Sequence, residues 1–366
     1  MRTVQELRRR LHKNNAFETR YDISTDDKIH LLYVSPKLNA TGYYRMIAPA
    51  LELNKTSTHK AIITSIQPNN FAEERTDVVG QLDERLIAWA DYIIFPTLFS
   101  DLQYLVQAIR TLQPRVQLVM DLGDSFAKSE AQLMDNLKQM DVITVANLNF
   151  QKHLKLQLQE VDIPVEYLPS LISRFAYEEV PPLKRNTSEK LRVGFIKPDT
   201  KDLLSLKEVI LKIDASLQEK IQFVCFGKPY SSEEVDVFLK ETDAEIHKTV
   251  SFLDYFEKLN VLELDVVLVP SNDGSKDGFQ SSYLFKELAV LGIPVIASEA
   301  HPISQLIEDG ETGWIARNPS GWVAILEELV QDKGAIEIIG RNTLKWCWST
   351  LGYNRKNIEA FLDVFI

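Results

Sequence analysis

Short runs of β-branched and aromatic residues recur along most of the chain, and amphipathic stretches separate most of them. From Lys28 the first series reads KIHLLYV, AIITSI, ADYIIFP, VQLVMDL, DVITVA and VEYLP. The second series reads LRVGFI, IQFVCFG, AEIHKTV, LDVVLVP, IPVIAS and GWIA. Strands that alternate with helices form parallel sheets with helices on both faces. The pattern therefore predicts an α/β fold with parallel sheets.

The two series are separated by a polar, proline-bearing stretch, RFAYEEVPPLKRNTSEK, which follows Ser173. A chain of 366 residues is longer than one hydrophobic core usually supports, so two domains are expected. We predict a basic helical arm (1–27), a Rossmann-like domain (28–172), a linker (173–190), a second Rossmann-like domain (191–349) and a C-terminal helix (350–366). That last helix either crosses back to the first domain or caps its own.

Composition limits the classes of function. The net charge of -11 and the pI near 5.2 argue against a nucleic-acid protein, whose affinity depends on neutralising phosphates. Two cysteines provide neither a disulfide framework nor metal-ligand spacing, which suits a reducing compartment. The N-terminal MRTVQELRRRLHK lacks the apolar core of a signal peptide, and no apolar run is long enough to span a bilayer. We expect a cytoplasmic protein whose basic N-terminus either contacts anionic lipid peripherally or packs on its own domain.

One acidic residue, Glu287, interrupts the apolar face of a helix that we predict over Ser281–Leu291. Serine favours the start of a helix, and Gly292 favours its end. At roughly 100° per residue, the side chains within about 60° of Glu287 are Tyr283, Leu284, Val290 and Leu291. An unpaired buried carboxylate is costly. Glu287 is therefore either satisfied by a backbone amide or a lysine, or held at a cleft wall to accept hydrogen bonds from ligand hydroxyls. The Gly-, Ser- and Asp-rich loop before the helix favours the second interpretation.

Ligands of open α/β sheets bind beyond the carboxyl ends of the strands. Two such domains facing one another would form an interdomain cleft lined by loops from both. The loops that follow strands in the first domain are SPKLNATGYYR, PTLFSD and MDLGDSF. Those in the second domain are IKPDTKD, FGKPYSS, VSF and PSNDGSKDGFQSS.

Several motifs carry a resemblance to a known family. In the second domain they are VGFIKPDTKDL, FGKPY, FLDYFEKLNVLELDVVLVPS, LFKELAVLGIPVIAS and EDGETGWIA. In the first domain they are TGYYRMIAPALEL, VMDLGDSF and VEYLPS. In their order and spacing these motifs resemble the GT-B glycosyltransferases of the retaining glycosyl transferases group 1 (family 4 type), over nearly the whole chain.

The resemblance implies two facing Rossmann-like domains, with a nucleotide-sugar donor bound mainly by the second and an acceptor mainly by the first. It implies retaining transfer from a UDP- or GDP-linked sugar to a saccharide or lipid-linked saccharide, in cell-surface polysaccharide or glycoconjugate synthesis. No metal ion or other cofactor is expected. The alternative is a non-catalytic GT-B protein that acts as a partner or stabiliser of an active glycosyltransferase. A sugar-nucleotide epimerase is disfavoured by the glycine turn and acidic loop, and a dinucleotide oxidoreductase by the lack of G-x-G-x-x-G.

The resemblance also assigns donor-binding positions. Glu287 falls on the family glutamate that hydrogen-bonds the donor ribose, and Phe279 occupies the register, eight residues upstream, where the family commonly has another glutamate. Helix N-termini and lysines bind diphosphate, and a glycine lets the backbone approach a nucleotide. The further candidates are Gln280, Ser281, Ser282, Lys197, Lys201, Gly227, Lys228, Val250 and Ser251. Solvated lysines and a plain β-turn are the alternatives for the loop residues.

The first domain contributes candidates for catalysis and for acceptor binding. Gly42 is either a turn that brings amides near the donor phosphate or acceptor oxygen, or an ordinary turn residue. Asp121 and Asp124 flank the end of the fourth strand, and paired carboxylates suggest acid–base work or acceptor orientation. Helix capping is the alternative for Asp124. The acceptor-side candidates are Tyr43, Tyr44 and Arg45, because aromatic faces stack on sugar rings and arginine pairs with phosphate. They could equally belong to the core.

Overall fold

The computed structural model describes residues 23, 26–34, 36–64, 82, 84–98, 101–123, 131–177, 183–211, 213–228, 233–271 and 282–366. The chain divides into two compact units. The first contains the described residues up to Phe175 together with Leu351–Ile366, and the second contains Ala176–Thr350. The basic arm predicted for residues 1–27 lies almost entirely outside the described residues.

The first unit is built on a parallel six-stranded sheet in the order β2-β1-β3-β4-β5-β6. Its strands are β1 (Ile29–Tyr33), β2 (His59–Ile63), β3 (Tyr92–Pro96), β4 (Gln117–Gly123), β5 (Val142–Val145) and β6 (Val165–Tyr167). Leu31 of β1 pairs with Ala61 on one side and with Tyr92 on the other. The direction of winding therefore reverses between β1 and β3, the position where open α/β sheets bind ligands.

Helices follow most of these strands. They are α1 (Ala48–Leu53), α2 (Glu84–Trp89), α3 (Gln103–Leu112), α4 (Ala131–Leu137) and α5 (Leu148–Gln157). A short helix, Ala40–Gly42, and a π-helix, Tyr43–Ile47, precede α1 without a break. Asn39 caps this run, because its side-chain oxygen accepts a hydrogen bond from the Gly42 N–H at 2.8 Å. A short 3₁₀ helix, Arg174–Tyr177, follows the sheet.

The C-terminal segment belongs to the first unit. The N–H of Ile172 donates to the carbonyl of Leu351 at 2.7 Å. Within the last residues, Phe365 is buried and its ring meets that of Tyr92 edge-on at 5.3 Å. The Tyr92 hydroxyl also donates to the Ile366 carbonyl at 2.7 Å. These contacts hold the chain end against the edge of the sheet formed by β1–β3.

The second unit contains another parallel six-stranded sheet, in the order β12-β11-β10-β7-β8-β9. Its strands are β7 (Leu191–Ile196), β8 (Ile221–Phe226), β9 (Glu245–His247), β10 (Val266–Val269), β11 (Val295–Ser298) and β12 (Trp314–Ala316). Renumbered from its own first strand, the sheet has the 3-2-1-4-5-6 order of the Rossmann fold. Winding reverses between β7 and β10, so a ligand is expected at their carboxyl ends.

The helices of the second unit cover both faces of this sheet and form two apolar clusters. They are α6 (Thr200–Ser205), α7 (Lys207–Ile210), α8 (Ala215–Gln218), α9 (Glu233–Glu241), α10 (Phe252–Val261), α11 (Tyr283–Ala289), α12 (Pro319–Gln331) and α13 (Lys333–Leu351). A 3₁₀ helix, Pro302–Leu306, lies between β11 and β12, and helix α14 (Arg355–Leu362) belongs to the first unit.

Helix α11 (Tyr283–Ala289) ends before the predicted Leu291, but the predicted glycine, Gly292, closes the turn that follows it. Gly292 has a φ of 69°, and its N–H donates to the Ala289 carbonyl at 3.0 Å. The N–H of Ile293 reaches back to the Leu288 carbonyl at 3.0 Å. This pair of bonds is the Schellman motif, in which a left-handed glycine ends a helix. The motif fixes where the helix containing Glu287 stops.

Candidate functional site

Glu287 is buried in the second unit, with 5% of its surface exposed. The helix around it is buried on nearly every side, at Tyr283, Phe285, Lys286, Leu288 and Ala289. Burial disfavours the charged form and raises the pKa of Glu287 to about 7, while Lys197 and then Tyr255 oppose that shift. No ion pair or hydrogen bond of standard geometry joins this carboxylate to another described residue. With respect to the described residues, its oxygens therefore keep the capacity to accept further hydrogen bonds.

Lys197 supplies positive charge beside Glu287. It directly follows β7, at the point where the winding of the sheet reverses, and its backbone has a φ of 44°. Its Nζ lies 3.8 Å from the centre of the Tyr255 ring, a cation–π contact. The residue as a whole is exposed, but its ammonium is partly desolvated, which lowers the pKa of Lys197 against the attraction of Glu287. Lys197 thus lies between solvent and the buried carboxylate.

Gly227 allows Lys197 to take this position. It ends β8 with a φ of 76°, a conformation that favours glycine. A Cβ at this position would lie 2.9 Å from Cγ of Lys197 and 2.9 Å from Cγ2 of Thr249. Within the protein, Gly227 therefore allows close approach to the side chains of Lys197 and Thr249. Its predicted close approach to a nucleotide stays a prediction.

The other loop candidates lie apart from this group. Lys228 forms an ion pair with Asp236 of α9. Lys201 is exposed in the first turn of α6, where Asp199 caps its N–H at 2.8 Å. Among the described loop lysines, the structure brings only Lys197 close enough to this carboxylate to affect its pKa.

Three predicted donor residues lie at helix starts. Ser251 precedes α10, and its hydroxyl donates to Asp254 at 2.7 Å. The neighbouring Val250 packs against the apolar cluster on the Glu287 face. Ser282 is the N-cap of α11 and makes no side-chain capping bond. The candidates Phe279, Gln280, Ser281 and Asp124 lie outside the described residues.

In the first unit, Asp121 and Arg45 are paired with each other. Arg45 Nε donates to Asp121 Oδ1 at 2.9 Å, and its Nη2 donates to Oδ2 at 2.5 Å. The Thr144 hydroxyl donates to the same carboxylate at 2.6 Å, and Arg45 also reaches the Leu168 carbonyl. Both side chains are buried. The arrangement is typical of a structural ion pair, and the predicted catalytic and acceptor-binding roles of these residues stay predictions.

Gly42, Tyr43 and Tyr44 are also buried. The two tyrosine rings meet edge-on at 5.2 Å, and both belong to the π-helix. Gly42 has a helical φ of -62°, but a Cβ there would lie 1.9 Å from the Lys37 carbonyl oxygen. Glycine is therefore required here for close packing. The core interpretation that the sequence left open for the tyrosines fits this burial.

Sequence reasoning did not single out Tyr255. It lies in α10 within FLDYFEKLNV, where an aromatic residue at apolar spacing is indistinguishable from core. The Tyr255 hydroxyl is buried and has no hydrogen-bond partner of standard geometry among the described residues. Burial and then the charge of Glu287 raise the pKa of Tyr255. Only its position beside Lys197 and Glu287 distinguishes it.

A separate cavity of about 280 Å³ lies at the carboxyl ends of β10 to β12. Its walls include Ser271, Ser298, Arg317, Asn318 and Trp322. None of its lining residues is a predicted site residue, and Trp322 belongs to the apolar cluster other than the one that surrounds Glu287. We therefore assign the candidate site to the Glu287 group, on chemistry rather than on cavity size.

Among the described residues, no group of three or more His, Cys, Asp or Glu side chains could hold a metal ion. In the same part of the chain, no helix combines the length and the apolar character needed to cross a bilayer. The absence of a metal requirement stays a prediction.

Comparison with known proteins adds a family and a fold. Residues 190–332 match the family described as glycosyl transferases group 1. No curated protein matches the chain. An alpha-glucosyltransferase solved with UDP superposes with a TM-score of 0.62 at 12% identity, over 92% of this chain and 99% of that chain. A Rickettsia africae glycosyltransferase gives a TM-score of 0.59 at 13% identity, over 93% and 99%.

Anabaena HepE, solved with UDP and glucose, gives a TM-score of 0.57 at 11% identity, over 92% of this chain and 98% of that chain. S. aureus TarM is longer, and the similarity covers 79% of this chain but 60% of TarM, with a TM-score of 0.52 at 13% identity. At these identities the similarity establishes the fold alone. The chain therefore has the GT-B fold, with a Rossmann-like sheet in each of its two units, and its residues 190–332 match the glycosyl transferases group 1.

Proposed function

We propose that the protein transfers a sugar from a UDP- or GDP-linked donor to a saccharide or lipid-linked saccharide, with retention of anomeric configuration. The acceptor class points to cell-surface polysaccharide or glycoconjugate synthesis. The observation that carries the proposal is the buried Glu287 carboxylate, which makes no hydrogen bond of standard geometry with another described residue and lies beside Lys197. Both belong to the second unit, the unit that contains the family match.

The chemistry of a sugar nucleotide fits these two groups. An ionised carboxylate accepts up to about four hydrogen bonds, so the two ribose hydroxyls would satisfy the desolvated Glu287. The diphosphate carries negative charge that an ammonium can neutralise, and Lys197 is exposed enough to meet it. Lys197 also follows the strand at which the Rossmann order reverses, where ligands of this fold bind.

The relatives support a uridine nucleotide as the first ligand to test. Anabaena HepE was solved with UDP and glucose, and the alpha-glucosyltransferase with UDP. For the transfer step we propose that the donor phosphate takes the proton of the acceptor hydroxyl. The contacts of Asp121 support this, because hydrogen bonds from Arg45 and Thr144 already occupy its oxygens. No metal ion is needed in this scheme.

Thermal-shift measurements with UDP, GDP and ADP test donor binding. A ligand at about 100 times its Kd stabilises the folded state by about 2.7 kcal/mol, which corresponds to roughly 5 °C or more for a unit of this size. We expect UDP or GDP to give this shift and ADP to give none. Glu287→Gln should lose at least about half of the shift, because binding about 10-fold weaker leaves about 1.4 kcal/mol of stabilisation. The control Glu328→Gln, at an exposed position on α12, should retain the full shift.

A second candidate function is a non-catalytic GT-B protein that stabilises an active transferase. It is favoured by the engagement of Lys228 with Asp236, because that lysine is then not free for a diphosphate. A folded protein that shows no shift with any nucleotide sugar would support this alternative. Slow hydrolysis of UDP-glucose or GDP-glucose that Glu287→Gln abolishes would support the transferase.

A further inference from the structure

We propose that Tyr255 is a positioning residue of the donor site, which holds Glu287 for the ribose hydroxyls through its own hydroxyl and holds Lys197 through its ring. The inference rests on the proposed function, because it assigns a role within that same site. Tyr255 touches neither of the groups that react. It acts through two side chains that are expected to contact the nucleotide.

The hydroxyl of Tyr255 has no packing role. Tyr255 is 1% exposed, and its oxygen is buried without a partner of standard geometry among the described residues. A buried donor that stays unsatisfied costs about 1–3 kcal/mol. Phenylalanine would fill the same space without that cost, since the ring lies among Phe226, Phe256 and Leu259. An interaction with a polar group would explain why a tyrosine, and not a phenylalanine, occupies position 255.

Glu287 is the hydrogen-bond acceptor for the Tyr255 hydroxyl in this proposal. The two side chains are close enough for each to change the pKa of the other, although they do not reach standard hydrogen-bond geometry. When the ribose diol occupies part of the carboxylate, lone pairs remain on its oxygens. A Tyr255 hydroxyl that donates to one of them would fix the carboxylate in the orientation that the diol requires.

The ring of Tyr255 has a separate role. It is held in place by Phe226 of β8, which stacks on it at 5.6 Å with an interplanar angle of 23°, and by Phe256 at 5.3 Å. Lys197 Nζ lies 3.8 Å from the ring centre. A cation–π contact of this kind contributes about 0.5–2 kcal/mol. One rigid residue therefore sets the positions of the carboxylate and the ammonium together.

The charged and titratable groups near Tyr255 and Glu287 come from two other segments and from the helix of Glu287 itself. Lys197 follows β7, Tyr177 lies in the 3₁₀ helix Arg174–Tyr177, and Lys286 is on the same helix as Glu287. Lys197 and Tyr255 both lower the pKa of Glu287, which burial raises to about 7. Without the hydroxyl, Glu287 should become protonated at a higher pH, and its affinity for hydroxyl donors should then fall.

The test is calorimetric titration of the full chain with UDP-glucose, and with GDP-glucose in parallel, from pH 6 to pH 8.5. The phosphates of these diesters do not titrate in this range, so the pH dependence of Kd reports on the protein. We expect wild-type affinity to fall below about pH 7. Tyr255→Phe should move this fall to higher pH and weaken binding about 2- to 10-fold at pH 7, the change expected for one hydrogen bond. A smaller loss of affinity should remain at pH 8.5, where Glu287 is ionised in both proteins but its orientation is no longer fixed.

Tyr33→Phe is the matched control, because Tyr33 is a buried tyrosine of the first unit whose hydroxyl also lacks a partner of standard geometry. Its pH profile should equal that of wild type. A Tyr255→Phe profile that superposes on wild type, or that is weaker by one factor at every pH, would overturn the inference. If Tyr255→Phe does not fold, Lys197→Gln is tested in its place and should shift the pH dependence of Kd in the same direction. An unshifted pH dependence in Lys197→Gln would also overturn the inference. Wild-type protein that binds neither sugar nucleotide would instead refute the proposed function.

Discussion

Glu287 lowers the stability of the fold that contains it. Its pKa is about 7 in the folded protein, against an ordinary value of 4.5. Between these values the folded state binds more protons than the unfolded state, so stability falls as the pH rises from about 4.5 to about 7 and then levels off. A buried group that destabilises a protein is typical of a binding site, where function and stability conflict.

Glu287→Gln should therefore stabilise the ligand-free protein at pH 8. The difference between the two pKa values corresponds to about 3 kcal/mol in the free energy of unfolding of the second unit. Near pH 4.5, where both states bind the proton, the gain should vanish. Urea unfolding of wild type and variant at the two pH values measures this. Equal stabilities at pH 8 would mean that the carboxylate is satisfied within the protein.

Gly42→Ala tests a different residue-scale constraint. The added Cβ would lie 1.9 Å from the Lys37 carbonyl oxygen, so the backbone must shift. Overpacking of this kind costs about 1–3 kcal/mol. Gly321→Ala is a suitable control, because its Cβ would lie 3.6 Å from the nearest neighbouring atom, Asn318 Oδ1. Calorimetry should show a lower melting temperature only for Gly42→Ala. An unchanged melting temperature in Gly42→Ala would rule out the packing explanation and favour a role of Gly42 in ligand binding.

At the scale of elements, strands and helix ends follow from local chemistry. All twelve strands of the two sheets lie at the β-branched runs, from Ile29–Tyr33 to Trp314–Ala316, and their parallel pairing confirms the predicted α/β class. Gly292 ends α11 as predicted, because only a left-handed residue completes the Schellman motif there. These features depend on neighbours in sequence, and the sequence therefore reveals them.

Contacts between distant elements could not be predicted in this way. Arg45 and Asp121 are 76 residues apart and carry no shared pattern, so their pairing appears only in the folded sheet. The π-helix Tyr43–Ile47 likewise has no local signal in the sequence that we identified. Tyr255 looks like core for the same reason. Its partners Lys197 and Glu287 come from two other segments of the second unit.

The Arg45–Asp121 pair joins the π-helix to β4, and Asp121→Asn should break it. Removing one charge of a buried pair leaves the other uncompensated, which costs about 3–5 kcal/mol. The exposed pair of Asp135 and Lys138 in the same unit provides the control, since such pairs contribute about 0–1 kcal/mol. Chemical unfolding of Asp121→Asn and Asp135→Asn compares them. A fully stable Asp121→Asn protein would argue that Asp121 serves the acceptor or the reaction rather than the fold.

In the whole molecule, the candidate donor-site residues are concentrated in one unit. Lys197, Gly227, Tyr255 and Glu287 all belong to the second unit, although they come from four separate elements or loops. The Rossmann order of its sheet brings the end of β7 next to that of β8, and the packing of α10 and α11 on one face adds the other two residues. Topology therefore assembles a site that no single segment contains.

Hydrogen exchange on the full chain should reveal this concentration. With saturating UDP, or with GDP if that is the nucleotide bound, the strongest protection is expected at the end of β7 and along α10 and α11. Strand β6 of the first unit, with no candidate site residue, should exchange at the same rate with and without ligand. Strongest protection in the first unit would contradict this prediction, because it would mean that the nucleotide binds there and not in the second unit.

Calorimetric titration of UDP-glucose and GDP-glucose into wild type and Glu287→Gln at pH 8 shows whether Glu287 receives a sugar nucleotide. We expect wild type to bind one of them and Glu287→Gln to bind it at least about 10-fold more weakly, because hydrogen bonds to a charged group contribute about 1.5–3 kcal/mol. The variant should melt no lower than wild type. Equal affinities in the two proteins, or no binding of either ligand to the wild type, would contradict the claim that Glu287 receives a sugar nucleotide.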